Sequence, residues 1–283
     1  MGKIMLLYDN QSDIGSVTGP ASALPVANLQ IDTLEQVWRS ASDDPSDTRF
    51  DVALPEVVAM KAIVVGPTNL TTANRYRVRA FPDASRSNAF YDSGWEQSAV
   101  RATFGSLPWG SPYLWSGYQP PDDPDRGTFI IHVLPYAVAQ LFWTIEIDDE
   151  GNPDGFIEAS RLLMCRTVEP SINYQVGQNG LAFEDNSKRS RTLGGGEQIW
   201  RRINPRVFQF GFDYLPESEA FNDFYDLMRH TGYDREVFVI PDPDASALEM
   251  QRRSFLGTFS QMNPLSQVAF GYAAAGFTIK ERI

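Results

Sequence analysis

Through the first 165 positions Pro, Gly, Ser, Asp and Asn recur every eight to fifteen residues, and the pieces between them are short and rich in Val, Ile, Phe, Tyr and Trp. That punctuation points to an all-β sandwich. The candidate strands are residues 3–8, 48–54, 60–66, 75–81, 128–134, 141–148 and 157–164. In the fourth of these Arg75, Arg77 and Arg79 alternate with Tyr76, Val78 and Ala80, which predicts one wet face and one buried face. Residues 82–127 form a long insertion carrying Trp95, Trp109, Tyr113, Trp115 and Tyr118 among Gly, Ser and Pro. A loop of that length is functional or packs on itself.

The second half reads differently. Residues 179–216 suggest two or three strands with turns at Asn179-Gly180 and Gly194 to Gly196. The segment ESEAFNDFYDLMRHTG is the one convincing helix, with Phe221, Phe224, Tyr225 and Met228 as its apolar stripe, Pro216 at its start and Gly232 as its cap. Three strand candidates follow, beginning at EVFVIPD, SFLGTFSQM and QVAFGYAAAGF. The expected fold class is therefore mainly β, a sandwich over residues 1–168 followed by a second β-rich domain with one flanking helix over 169–283. The connector between them lies near residues 165–178.

Charge separates the halves further. Residues 1–165 carry 11 basic and 21 acidic side chains and the remainder 13 and 15, within a net charge of −12. The balance disfavours specific nucleic-acid binding. No apolar run is long enough for a membrane helix, and the N-terminal apolar run of about five residues is shorter than a secretory signal core and reads as a strand. A single cysteine, Cys165, excludes an internal disulfide and a thiolate zinc site and fits synthesis in a reducing compartment.

No catalytic, cofactor-binding or metal site emerges. His132 lies in an apolar strand and His230 in the last turn of the helix, and neither has a partner at catalytic spacing. No nucleophile elbow, phosphate-binding loop or dinucleotide fingerprint is present. Acidic residues cluster in Pro- and Gly-bearing turns, which does not provide the two separated carboxylates of a glycoside hydrolase. EGNPDG resembles the start of a calcium loop, but Arg161 occupies the place of the closing Glu. Asn69-Leu70-Thr71 matches a glycosylation acceptor without a leader to make it meaningful. Two surface features remain. Trp95, Trp109, Tyr113, Trp115 and Tyr118 either contact a glycan or partner or fold over the end of the sandwich. Lys188, Arg189, Arg191, Arg201, Arg202 and Arg206 are either a solvated hairpin or contacts to an acidic face on a neighbouring subunit.

One stretch fits no period. LPVANLQIDTLEQVWRS begins with proline and ends on Trp38-Arg39-Ser40. With the strands TRFDVAL and MKAIVVG after it, this stretch resembles the start of galactose-binding-like jelly-roll domains, and LFWTIEIDDEGNPDGFIEASRLLMC resembles their closing strands. The resemblance implies a Trp38 buried under the edge of the sandwich. Over most of its length, and better in the first half, the chain is similar to minor tail and tail-tip proteins of long-tailed bacteriophages, with a second half patterned like the tail-tube fold. That likeness implies a virion protein of the distal tail type made in the host bacterial cytoplasm. It also implies a homo-oligomeric ring, six-fold in preference to three-fold, contacting tail tube and hub or fibre proteins, without cofactor or catalysis. The rival reading is a carbohydrate-binding host-recognition module that uses the loop 95–118; a glycan hydrolase ranks last.

Overall fold

The computed structural model describes residues 2–98, 100–101, 109–110, 118–119, 127–177, 179–191 and 194–283. Contacts divide the chain into two units, Asn10–Thr167 and Met1–Asp9 with Val168–Ile283. The protein is mainly β. No helix among the described residues is long and apolar enough to cross a membrane.

The first unit holds two open sheets. One runs in the order Ser16–Thr18, Arg49–Ala53, Phe142–Asp148, Arg75–Phe81, Tyr91–Asp92, antiparallel throughout. In the other, Ala59–Thr68 is flanked by Thr128–Ala139 on one side and by Leu162–Val168 and Glu158–Ala159 on the other. Trp38–Ser40 and Ser22–Leu24 extend the same sheet beyond Glu158–Ala159. The core lies where alternating side chains of the two sheets meet: Phe50, Val52, Val78, Trp143 and Ile145 from one, Ile63, Val65, Ile130, Leu162 and Met164 from the other. On the opposite face of Arg75–Phe81 the three arginines pair with carboxylates, Arg75 with Asp148, Arg77 with Asp92, and Arg79 with Glu146 at 2.8 Å.

Trp38 is 1% exposed, its ring edge-on to Phe50 at 5.6 Å. The chain before it makes a 3-10 turn, Val26–Gln30, that buries Leu29, and Asn28 Nδ2 donates to Val37 O at 2.8 Å. The strand Trp38–Ser40 is three residues long, too short to show a period, yet each residue has its own role. Trp38 fills the core. Arg39 stacks over Phe156 at 4.2 Å and donates from Nε to Glu158 at 2.6 Å. Ser40 N–H donates to Ile157 O, and Ile157 N–H returns a bond to Ser40 Oγ.

The second unit is an open antiparallel sheet in the order Gly180–Phe183, Arg206–Pro216, Tyr272–Glu281, Phe255–Met262, Glu236–Ile240, Met5–Asn10, with Ser266–Ala269 also on Tyr272–Glu281. The first nine residues, expected in the leading domain, group here: Met5, Leu6 and Leu7 pair with Ile240, Val239 and Phe238, and Ile4, Leu6 and Tyr8 enter this unit's core. The expected helix is one helical segment, Glu217–Glu219, Ala220–Phe224 and Tyr225–Thr231, whose middle piece is a π turn. Its buried residues are Ala220, Phe224, Leu227 and Thr231, with Phe224 stacked on Phe277 at 5.6 Å and edge-on to Phe212 at 5.2 Å. That set keeps ordinary helical spacing, and Phe221 and Tyr225 of the expected stripe lie off it and face outward. Gly232, at φ +54°, ends the segment by donating to Met228 O. A second helix, Ala247–Arg253, starts at a capping box in which Ser246 and Glu249 bond reciprocally.

Candidate interaction site

The basic residues singled out in the sequence lie on a two-stranded arm. Beyond Phe183 the ladder thins: Glu184 N–H donates to Pro205 O at 3.0 Å and Asn186 N–H to Asn204 Oδ1 at 3.2 Å. It resumes as a separate pair, Lys188–Arg191 against Glu197–Trp200, in register Lys188 to Trp200 and Arg191 to Glu197. Gly195, at φ +83°, supplies the left-handed residue of the turn. Every residue of both strands is exposed, Ile199 and Trp200 included. Arg189 pairs with Asp185 at 3.0 Å. Hydrogen bonds from the Ser187 side chain and backbone, then from Arg189, hold the Asp185 carboxyl down at about 2, so this acid is charged at any physiological pH. Arg201 and Arg202 are exposed at the foot of the arm.

Arg206 does not belong with them. It is 5% exposed, and Nε and Nη2 donate to Glu281 Oε1 at 2.9 and 2.5 Å while its backbone N–H donates to Glu281 Oε2 at 2.7 Å. A guanidinium so enclosed is a structural tie and offers nothing to a neighbour.

The aromatic set of the insertion is only partly gathered. Trp95 is half-exposed with the Arg75 guanidinium 5.6 Å over its ring, and Trp109 is 90% exposed. Tyr118 pairs through its backbone with Arg101. Tyr113 and Trp115 lie outside the described residues. Beside Trp95, however, sits a buried polar cluster that no sequence spacing revealed. His132, 2% exposed, places Nε2 at 2.9 Å from the Tyr91 hydroxyl and Nδ1 at 3.4 Å from both Tyr76 Oη and Glu96 Oε2. The Tyr76 hydroxyl is spent on Glu96 Oε2 at 2.9 Å, so Nδ1 faces two acceptors. Burial, then the Glu96 charge, pushes the Tyr76 hydroxyl well above its usual range and Tyr91 to about 12, while the His132 hydrogen bond holds Glu96 down. Glu96 also exchanges both backbone bonds with Tyr76, so the cluster fixes the chain beside Trp95. His230 packs by its ring against Tyr8 at 6.3 Å.

The clustered carboxylates hold loops. Asp149 accepts from Thr71 N–H and Asn152 Nδ2, both at 2.8 Å, and Asp154 accepts from Asn69 Nδ2 at 3.0 Å. Arg161, in the would-be calcium loop, is buried and forks onto both oxygens of Asp13 at 2.6 Å. Among the described residues no group of three or more His, Cys, Asp or Glu is placed to hold a metal ion.

No protein-family model matches the chain, and comparison with curated proteins finds no match. Among solved structures it is similar to a family 32 carbohydrate-binding module from a family 31 glycoside hydrolase of Clostridium perfringens (8% identity, TM-score 0.36, covering 56% of this chain and 99% of that one). It is also similar to the family 32 module of C. perfringens NanJ solved with galactose (13%, 0.35, 56% and 96%). A third is a fucolectin from striped bass serum, Morone saxatilis (7%, 0.35, 73% and 71%). These neighbours are galactose-binding-like jelly rolls, and a likeness of this size carries no statement about ligand or role.

Proposed function

We propose that this chain is a non-catalytic structural protein that assembles with copies of itself, as the ring component of a phage tail tip of the distal tail type, joining tail tube to hub or fibre proteins. The observation that carries the reading is the arm. A two-stranded ribbon with no third layer is marginal in water, and this one exposes Ile199 and Trp200 amid a row of cations. Such a ribbon gains its stability from a surface that it lies on, which in a ring is the adjacent subunit. The working place of the protein is then the virion, after synthesis in the host cytoplasm. Complementing a phage that lacks the gene tests the reading. Restored tails carrying the chain in a ring at the tip support it, and tails complete without the chain overturn it.

A second reading has its own observation: Trp95 and Trp109 present indole surface to solvent at the jelly-roll unit. Aromatic faces of this kind stack on sugar rings, and the unit is then a carbohydrate-binding module for host recognition. The neighbours solved with galactose and GalNAc name the sugars to try first. Titration with galactose and GalNAc, on the native chain and on Trp95→Ala with Trp109→Ala, tests it: saturable binding lost in the double variant supports it, and no binding to either sugar removes it.

A further inference from the structure

We propose that the basic arm docks on the acidic, aromatic outer face of the Glu217–Thr231 helical segment of a second copy of this chain; the proposal rests on the self-assembly reading above and names the surface that receives the arm. Phe221 and Tyr225, one helical turn apart, lie off the buried stripe and face outward. The turn joining Ser266–Ala269 to Tyr272–Glu281 sits against the start of the helix, because Glu217 N–H donates to Gly271 O at 2.9 Å and Gln267 Nε2 to Glu217 Oε1 at 2.6 Å. At this turn Phe270 is fully exposed, and exposed Tyr272 meets exposed Tyr214 edge-on at 6.3 Å. Five large side chains with aromatic rings are thus exposed on the helical segment and around the turn held against its start, where a monomer gains nothing by exposing them.

The charge of this face is opposite to that of the arm. The segment carries Glu217, Glu219, Asp223 and Asp226 against Arg229, which is 3.5 Å from Asp226. Partial burial, then the neighbouring Glu219 and Asp226 charges, pushes the Asp223 carboxyl up. The arm brings Lys188, Arg189, Arg191, Arg201 and Arg202 together with Ile199 and Trp200, so each surface supplies what the other lacks: guanidinium for carboxylate and ring for ring. The exposure of the arm shows that it is not folded back on its own helix. Donor and acceptor are different surfaces of one chain, so the contact can repeat head to tail around a ring, and it can also close a two-fold pair in which each arm lies on the other copy's helix.

The test mixes two full-length populations. One carries a photoreactive benzoylphenylalanine in place of Trp200; the other is isotopically heavy. Cross-links from the arm to heavy peptides spanning residues 214–229 are expected. Asp223→Lys with Asp226→Lys in the heavy copy should cut the yield by about tenfold, and Arg201→Glu with Arg202→Glu in the light copy should restore it. Far-UV circular dichroism and thermal melting establish that each variant is folded. Cross-links between copies that land elsewhere and ignore the Lys variants overturn the acceptor face but leave self-assembly standing. Cross-links confined to the light chain, with both populations sedimenting as monomers, overturn both.

Discussion

Arg206 and Glu281 hold one another at the edge of the second unit, two guanidinium nitrogens on one carboxylate oxygen and the Arg206 backbone N–H on the other. The remaining nitrogen, Nη1, donates to Gln251 O at 3.1 Å and Arg252 O at 2.9 Å, the last carbonyls of the Ala247–Arg253 helix, and the guanidinium lies 5.0 Å over Phe255. Opposite charge at a helix C-terminus is stabilising there. Glu281→Ala strands a buried guanidinium and should cost about 3 to 5 kcal/mol. Urea denaturation of the variant checks this, and a loss under about 1 kcal/mol returns Arg206 to the solvated patch.

The exposed cations of the arm should behave in the opposite way. Trypsin at low ratio should cut first after Lys188, Arg189, Arg191, Arg201 or Arg202, because a ribbon exposed on both faces opens more readily than a core strand. In assembled particles the same bonds should be protected. Mass spectrometry of the first fragments reads both results, and initial cleavage within Arg75–Phe81 contradicts the expectation.

Trp38→Ala removes a fully buried indole from the core of the two-sheet unit, along with its contact to Phe50. A loss of about 3 to 5 kcal/mol is expected. Calorimetry should show it in the melting of this unit. A variant of native stability that has lost only sugar binding would mean that the indole faces a ligand.

Asp92 gives a pH dependence with a fixed sign. Its hydrogen bonds from Arg77 hold its carboxyl at about 2, below the ordinary 3.8. A depressed carboxylate stabilises the fold fully above its unfolded value, and the contribution fades as pH falls from about 4 through about 2. The pair is partly solvated, so the contribution is about 0.5 to 1 kcal/mol. Asp92→Asn should lower the urea midpoint at neutral pH, and the two proteins should converge near pH 2; a gap that widens on acidification runs against the assignment.

Local patterns were legible and distant ones were not. The alternating arginines of Arg75–Phe81 announced a strand with one wet face, because period and polarity coincide within seven residues. The burial of Trp38 followed from the resemblance of the stretch around it, not from its own pattern. The helical stripe was misphased because it was anchored on the rings of Phe221 and Tyr225, whereas the buried set also uses the smaller Ala220 and Thr231, and the short helix after Ser246 was overlooked although Ser-Ala-Leu-Glu carries the capping-box spacing. The Tyr76, Tyr91, Glu96 and His132 cluster joins residues from separate strands, and only the folded ladder brings them together. Arg206 looked like its neighbours Arg201 and Arg202 because its partner, Glu281, is remote in the chain.

The pairing of Leu7 with Phe238 orders events in time. A ribosome releases Met5–Asp9 before Asn10–Thr167, and the strand then waits while all of that stretch, which holds its own core, emerges. The first unit can therefore fold on the nascent chain, whereas the second unit closes only when Tyr272–Glu281 emerges, because that strand joins Arg206–Pro216 to Phe255–Met262. The arm and the acidic helix of the second unit are thereby presented on a finished sheet only after the first unit has had the chance to fold.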